Sequence, residues 1–114
     1  MRSEISTHKK LNDVLRFGFL VKKGRIVGSW KRRFFVLTFA QIHYSETPGS
    51  KKLGSLNIRQ VSNVRINTED ERDNCITIVA NSRDLSFSAD SEEEISSWLE
   101  LIRNLIKAQQ VQFK

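Results

Sequence analysis

The feature that most restricts the fold of this 114-residue chain is a single change of apolar period at Ser91. Upstream of it, apolar residues alternate with polar ones in short runs separated by turn residues, which is the pattern of half-buried β-strands. Downstream, Ile95, Trp98, Leu99, Ile102, Leu105 and Ile106 fall at the i, i+3, i+4, i+7 spacing that gathers them on one helix face. Ser91 opens that segment as S-E-E-E, an N-cap with Glu94 as its capping-box partner and glutamates where the helix dipole favours negative charge.

The upstream runs are FGFLVKK, WKRRFFVLTF, QIHYSE, LGSLNI, VSNVRIN, CITIVA and LSFSA, seven strands in all. GRIVGS, ETPGSKK, TEDERDN and NSRD separate some of them as turns or loops. Seven short strands at this spacing predict a sandwich or barrel, and one terminal amphipathic helix is used most economically to close an open end of it. Trp98 would be the plug. The expected organisation is one domain over residues 17–108, a leader or linker over 1–16 and a short tail over 109–114.

Several function classes find no support. The longest apolar run is far below membrane-spanning length, and the first residues lack the hydrophobic segment of a secretory signal, so a cytoplasmic protein is expected. Cys75 is the one cysteine and reads as a half-buried strand thiol. There is no nucleophile elbow, P-loop or zinc-protease motif, and His8 and His43 are solitary, so neither catalysis nor a cofactor is expected. The acidic run TEDERD at 68–73 lacks the glycine and distal glutamate of a calcium loop and reads as solvated.

Charge is the informative quantity. Residues 22–52 hold eight Lys or Arg against one acid, Glu46, whereas residues 53–114 hold seven basic groups against ten acidic ones. A molecule polarised in this way is oriented toward an anionic partner. Side-chain alternation shows where the cations point. Lys22 shares a face with Leu20 on the first strand; Lys31 and Arg33 share one with Phe35 and Leu37 on the second; Tyr44 shares one with Ile42 on the third. On each strand the apolar residue gives way to a polar or amphipathic one toward the first turn. Lys22, Lys31 and Arg33, with Tyr44 beside them, are therefore expected to converge on one cup at the open mouth. Arg33 brings the planar fork that matches a phosphate.

The first turn places Ile26 and Val27 at its tip, as a loop that dips into a bilayer would. WKRRFF mixes cations and aromatics as nucleic-acid surfaces do, but parity puts Phe35 inside, and the aromatics read as core. No nucleic-acid partner is expected. The competing reading is a protein-interaction module whose basic face or helix meets an acidic partner.

From about Phe17 to Ile106 the chain resembles a pleckstrin homology (PH) domain. The resemblance is carried by G-F-L-V-K at 18–22, W-K-R-R-F-F-V-L at 30–37, I-H-Y at 42–44, G-S-L at 54–56, N-C-I-T-I at 74–78 and Trp98. It implies a mainly β fold, a seven-stranded barrel-like sandwich of two near-orthogonal antiparallel sheets capped by one C-terminal α-helix. It also implies a phosphoinositide-binding, membrane-recruiting module, with soluble inositol phosphates and the anionic membrane surface as further ligands. Lys22, Lys31 and Arg33 match the family's basic signature. Tyr44 matches its phosphate-contacting tyrosine, Lys51 and Lys52 its basic residues before the fourth strand, and Arg25 its first-loop cation. NSRD is too short for the extra hairpin that some highly selective members carry. Other members bind small GTPases or other proteins instead, and the fold alone does not choose between the two.

Overall fold

In the computed structural model, residues 13–112 are described, with side chains described through residue 110. The leader over 1–12, His8 and the last two residues of the tail lie outside the described residues. The strands are β1 (Val14–Lys23), β2 (Trp30–Thr38), β3 (Gln41–Ser45), β4 (Gly54–Asn57), β5 (Val61–Asn67), β6 (Cys75–Ala80) and β7 (Asp84–Ser88), and the helix is α1 (Glu92–Gln112). A 3-10 turn at Ile58–Gln60, capped by the Asn57 side chain, links β4 to β5.

All pairings are antiparallel, in the order β4-β3-β2-β1-β7-β6-β5. The sheet is continuous but pinched: β1 meets β7 at only two pairs, Val21 with Ser88 and Lys22 with Phe87. That narrow seam divides the ladder into a four-stranded half, β1–β4, and a three-stranded half, β5–β7. β4 and β5 are left as edges, so the barrel is open rather than closed by hydrogen bonds.

The alternation of apolar residues becomes one core. Leu20, Phe35, Leu37, Ile42 and Leu56 from the first half meet Ile76, Ile78, Leu85 and Phe87 from the second. The helix covers this core with Ile95, Trp98, Leu99, Ile102, Leu105 and Ile106, all buried. Trp98 has no exposed surface and packs edge-on against Phe87, with centroids 6.1 Å apart. The helix start follows its sequence signal: the Glu94 amide donates to Ser91 Oγ at 3.1 Å.

Three local features depart from the sequence reading. β1 begins at Val14, inside the expected leader, because a register shift between Val14 and Arg16 breaks the alternation and Arg16 stacks its guanidinium over Trp98 at 5.2 Å. α1 runs through Gln112, into the segment expected as a tail, and Gln109 docks it by donating to the Phe39 carbonyl at 3.3 Å. Cys75 is fully buried rather than half-buried, and burial pushes its thiol up to about 11.

Candidate functional site

The first turn is built by its glycines and serine. The Gly24 amide donates to the Ser29 carbonyl at 2.7 Å and the Ser29 amide to the Ile26 carbonyl at 2.9 Å. Gly28, at the third position of that tight turn, has φ +78°, which side-chain-bearing residues rarely adopt. The turn lifts Val27 and Ile26 to 97% and 77% exposure.

Below the turn, the register bears on the parity expectation directly. Lys22 lies opposite Lys31, Leu20 opposite Arg33, and Phe35 opposite Tyr44. Residues opposite one another share a face, and Leu20 and Phe35 are buried, so the three cations and Tyr44 are on the inward-facing side at its open end. Like charges directly across a ladder repel, and no Asp or Glu occurs anywhere in β1–β4 to relieve Lys22 and Lys31.

At this end the fold opens into a cleft of about 830 Å³. Its rim is formed by Lys22–Arg25 of the first turn, Leu53–Ser55 ahead of and within β4, and the β6–β7 turn at 82–84. Lys22 Nζ lies 5.0 Å over the Tyr44 ring and donates to the Lys23 carbonyl at 3.0 Å. The Tyr44 ring lies against Gly54 so closely that a Cβ there would overlap its hydroxyl. Gly54 thus leaves room for the ring under Lys22.

Of the expected site residues, Lys22, Arg25 and Tyr44 line the cleft. Lys31 and Arg33 flank it from β2 without lining it, and the Arg33 guanidinium rests on the Arg32 carbonyl at 3.0 Å. Lys51 and Lys52 are exposed on the β3–β4 loop, also outside the lining. The sequence reading missed Lys23, Arg65, Arg83 and Leu53, which the fold brings to the cleft from four different segments.

The acidic loop is not merely solvated. Asp70 accepts from Lys23 Nζ at 2.8 Å and from Asn67, and Glu71 accepts from the Trp30 indole at 2.9 Å. The Lys23 hydrogen bond holds the Asp70 carboxyl below the usual carboxylate range, and the Trp30 hydrogen bond does the same for Glu71. These contacts tie the base of the β1–β2 hairpin to the β5–β6 loop and neutralise Lys23. Lys22, Arg25 and Arg83 form no ion pair among the described residues, and with Lys23 and Arg65 they outnumber the acids lining the cleft, Glu69, Asp70 and Asp84.

The model of the PH domain family matches residues 14–107. The chain belongs to the PH domain family. It is 32% identical over 101 residues to the pleckstrin homology domain-containing family A member 2 of Mus musculus, covering 83% of this chain and 24% of that one. It is 29% identical over 87 residues to the mouse dual adapter for phosphotyrosine and 3-phosphotyrosine and 3-phosphoinositide, covering 75% and 31%. The crystal structure of the C-terminal PH domain of pleckstrin in complex with D-myo-Ins(1,2,3,4,5)P5 superposes with a TM-score of 0.69 at 25% identity, covering 82% and 98%. The chain spans about a fifth to a third of the length of these and similar curated relatives. Among the described residues no helix is long and apolar enough to cross a membrane, and no group of His, Cys, Asp and Glu could hold a metal ion.

Proposed function

We propose that this PH domain is a non-catalytic module that recruits its host protein peripherally to the cytoplasmic face of membranes by holding a phosphoinositide headgroup. The observation that carries the reading is the Lys22–Lys31 pair, two cations facing each other across a ladder with Arg33 next on the same face and no carboxylate on those strands. A bound polyanion turns that repulsion into attraction. The phosphates would be held by Lys22, Lys31 and Arg33, with the Tyr44 hydroxyl donating, and Arg25, Lys51 and Lys52 widening the positive rim. The dual adapter names a 3-phosphoinositide and the pleckstrin domain holds an inositol pentakisphosphate, which supports the same ligand class here.

The energetics ask for both parts of the surface. Basic residues at an anionic membrane contribute about 1 kcal/mol each, so four or five supply about 4–5 kcal/mol, which is millimolar-class binding. Insertion of Ile26 and Val27, with Leu53 46% exposed on the opposite rim, adds roughly 1–2 kcal/mol per side chain when partly buried. Phosphate contacts in the cleft then raise affinity to the micromolar range. Flotation with phosphoinositide vesicles and phosphatidylserine vesicles of equal surface charge tests this. Selective capture by the former supports a fitted site, and equal capture defeats it.

A further inference from the structure

The cleft is electrically two-sided. The end of β1 and the first turn bring it Lys22, Lys23 and Arg25 with no acid, whereas the segments from β5 to β7 bring Arg65 and Arg83 against Glu69, Asp70 and Asp84. The cations of the second side are already engaged. Arg65 pairs with Glu69 at 3.9 Å, and Arg83 reaches across to the Ser55 carbonyl at 3.5 Å. Asp70, its side chain only 17% exposed, also takes Lys23 from the first side at 2.8 Å.

Behind Asp70 runs a connected chain of neutral polar groups that line the same cleft. Asn67 donates to Asp70 Oδ2 and to Thr77 Oγ1, both at 2.8 Å, and Thr77 and Ser86 share a hydrogen bond of 2.7 Å. The Asn67 side-chain oxygen is used as well, by the amides of Glu69 and Asp70. Asn67 and Thr77 are buried, so the network is held in place and does not turn its amide toward an incoming anion. What it still offers a ligand is the remaining lone pairs of Asp70 and one hydroxyl proton of the Thr77–Ser86 pair. Ring hydroxyls satisfy both. A phosphate satisfies the second alone and meets the charge of Asp70.

Building on the headgroup reading, we propose that Asp70 is a specificity-determining residue whose wall binds the free hydroxyls of an inositol ring and refuses phosphate, so that the cleft takes rings phosphorylated along one edge. At about 830 Å³ the cleft is at the roomy end of small-ligand sites, so charge rather than space sets the limit. The device works by penalising the wrong ligand, since a further phosphate either sits beside the carboxylate or must pull Lys23 away from it.

Calorimetric titration with inositol trisphosphates, which keep free hydroxyls, and with inositol hexakisphosphate, which keeps none, tests this. At least one trisphosphate should bind wild type as tightly as the hexakisphosphate or more tightly, despite carrying half the phosphates. Asp70→Asn should shift the ratio of the two affinities about tenfold toward the hexakisphosphate. Glu71→Gln is the matched control: it removes the same charge and a hydrogen bond from the same loop, but Glu71 does not line the cleft, so the ratio should stay within about twofold of wild type. Tighter binding of the hexakisphosphate than of every trisphosphate by wild type overturns the proposal, and that comparison needs no variant to fold. A ratio that Asp70→Asn leaves unchanged, or that Glu71→Gln shifts equally, also overturns it. Flotation of wild type with phosphatidylinositol bisphosphate vesicles separates a lipid headgroup from a free inositol phosphate. Saturable trisphosphate binding without capture would end the membrane reading and leave the role of Asp70 standing, whereas capture with an unchanged ratio in Asp70→Asn would end this proposal alone. Absence of saturable binding to any inositol phosphate would overturn both.

Discussion

Trp98 offers the sharpest separation of scaffold from site. It has no exposed surface, sits edge-on to Phe87 and lies under the Arg16 guanidinium, so Trp98→Ala removes the largest side chain of the core together with both contacts. The expected cost is about 3–5 kcal/mol, a large part of the roughly 5–15 kcal/mol that keeps a domain folded. The indole N–H, however, reaches no acceptor among the described residues. A buried donor without a partner costs about 1–3 kcal/mol, and Trp98→Phe removes it while giving up roughly 1–2 kcal/mol of packing. The phenylalanine variant should therefore lie within about 1 kcal/mol of wild type. Urea denaturation followed by far-ultraviolet circular dichroism, with unchanged m-values, measures both. If Trp98→Phe proves as costly as Trp98→Ala, the reasoning about the indole fails.

Other outcomes follow from individual contacts. Gly54→Ala should push the Tyr44 ring from beneath Lys22 and weaken inositol-phosphate binding about tenfold, read by calorimetry, while the domain stays folded. His43 is held below its ordinary value of 6.5, first by burial and then by Lys52, so the unfolded chain takes up this proton at higher pH than the folded one. Stability should fall as pH drops from 6.5 through the lower folded value. In an NMR titration Lys52→Ala should move His43 upward without restoring the ordinary value, because burial is the larger cause. Cys75, buried and pushed up to about 11, should resist iodoacetamide at pH near 8 until denaturant opens the fold.

What was legible in the sequence is what a local period encodes. Short runs rich in β-branched and aromatic residues between turn signals mark all seven strands, the serine and glutamate at 91 and 94 mark the helix start, and parity places Lys22, Lys31 and Arg33 on the face of Leu20 and Phe35. What was not legible depends on distance across the fold. The register shift after Val14 hides the start of β1 from any alternation rule. The helix end passes through glutamines that carry no stop signal. Arg65, Arg83 and Leu53 reach the cleft from segments far apart in the chain, and Asp70 looks solvated until Lys23 is found 2.8 Å away. The outer phenylalanines, Phe17 and Phe19, look like core in the sequence because strand alternation assigns two faces without saying which element, if any, covers the second.

Calorimetric titration with soluble inositol phosphates, on wild type and Arg33→Ala, tests the central claim without the diffuse charge of a membrane. Arg33 is half-buried and, among the described residues, its side chain hydrogen-bonds only a neighbouring carbonyl, so its removal should change stability by no more than about 0.5 kcal/mol. Wild type should saturate at one ligand per domain, and Arg33→Ala should lose about tenfold to a hundredfold in affinity through the missing charged hydrogen bonds. Absence of saturable binding to wild type, or equal affinity in the two proteins, would contradict the claim that these facing cations hold phosphate.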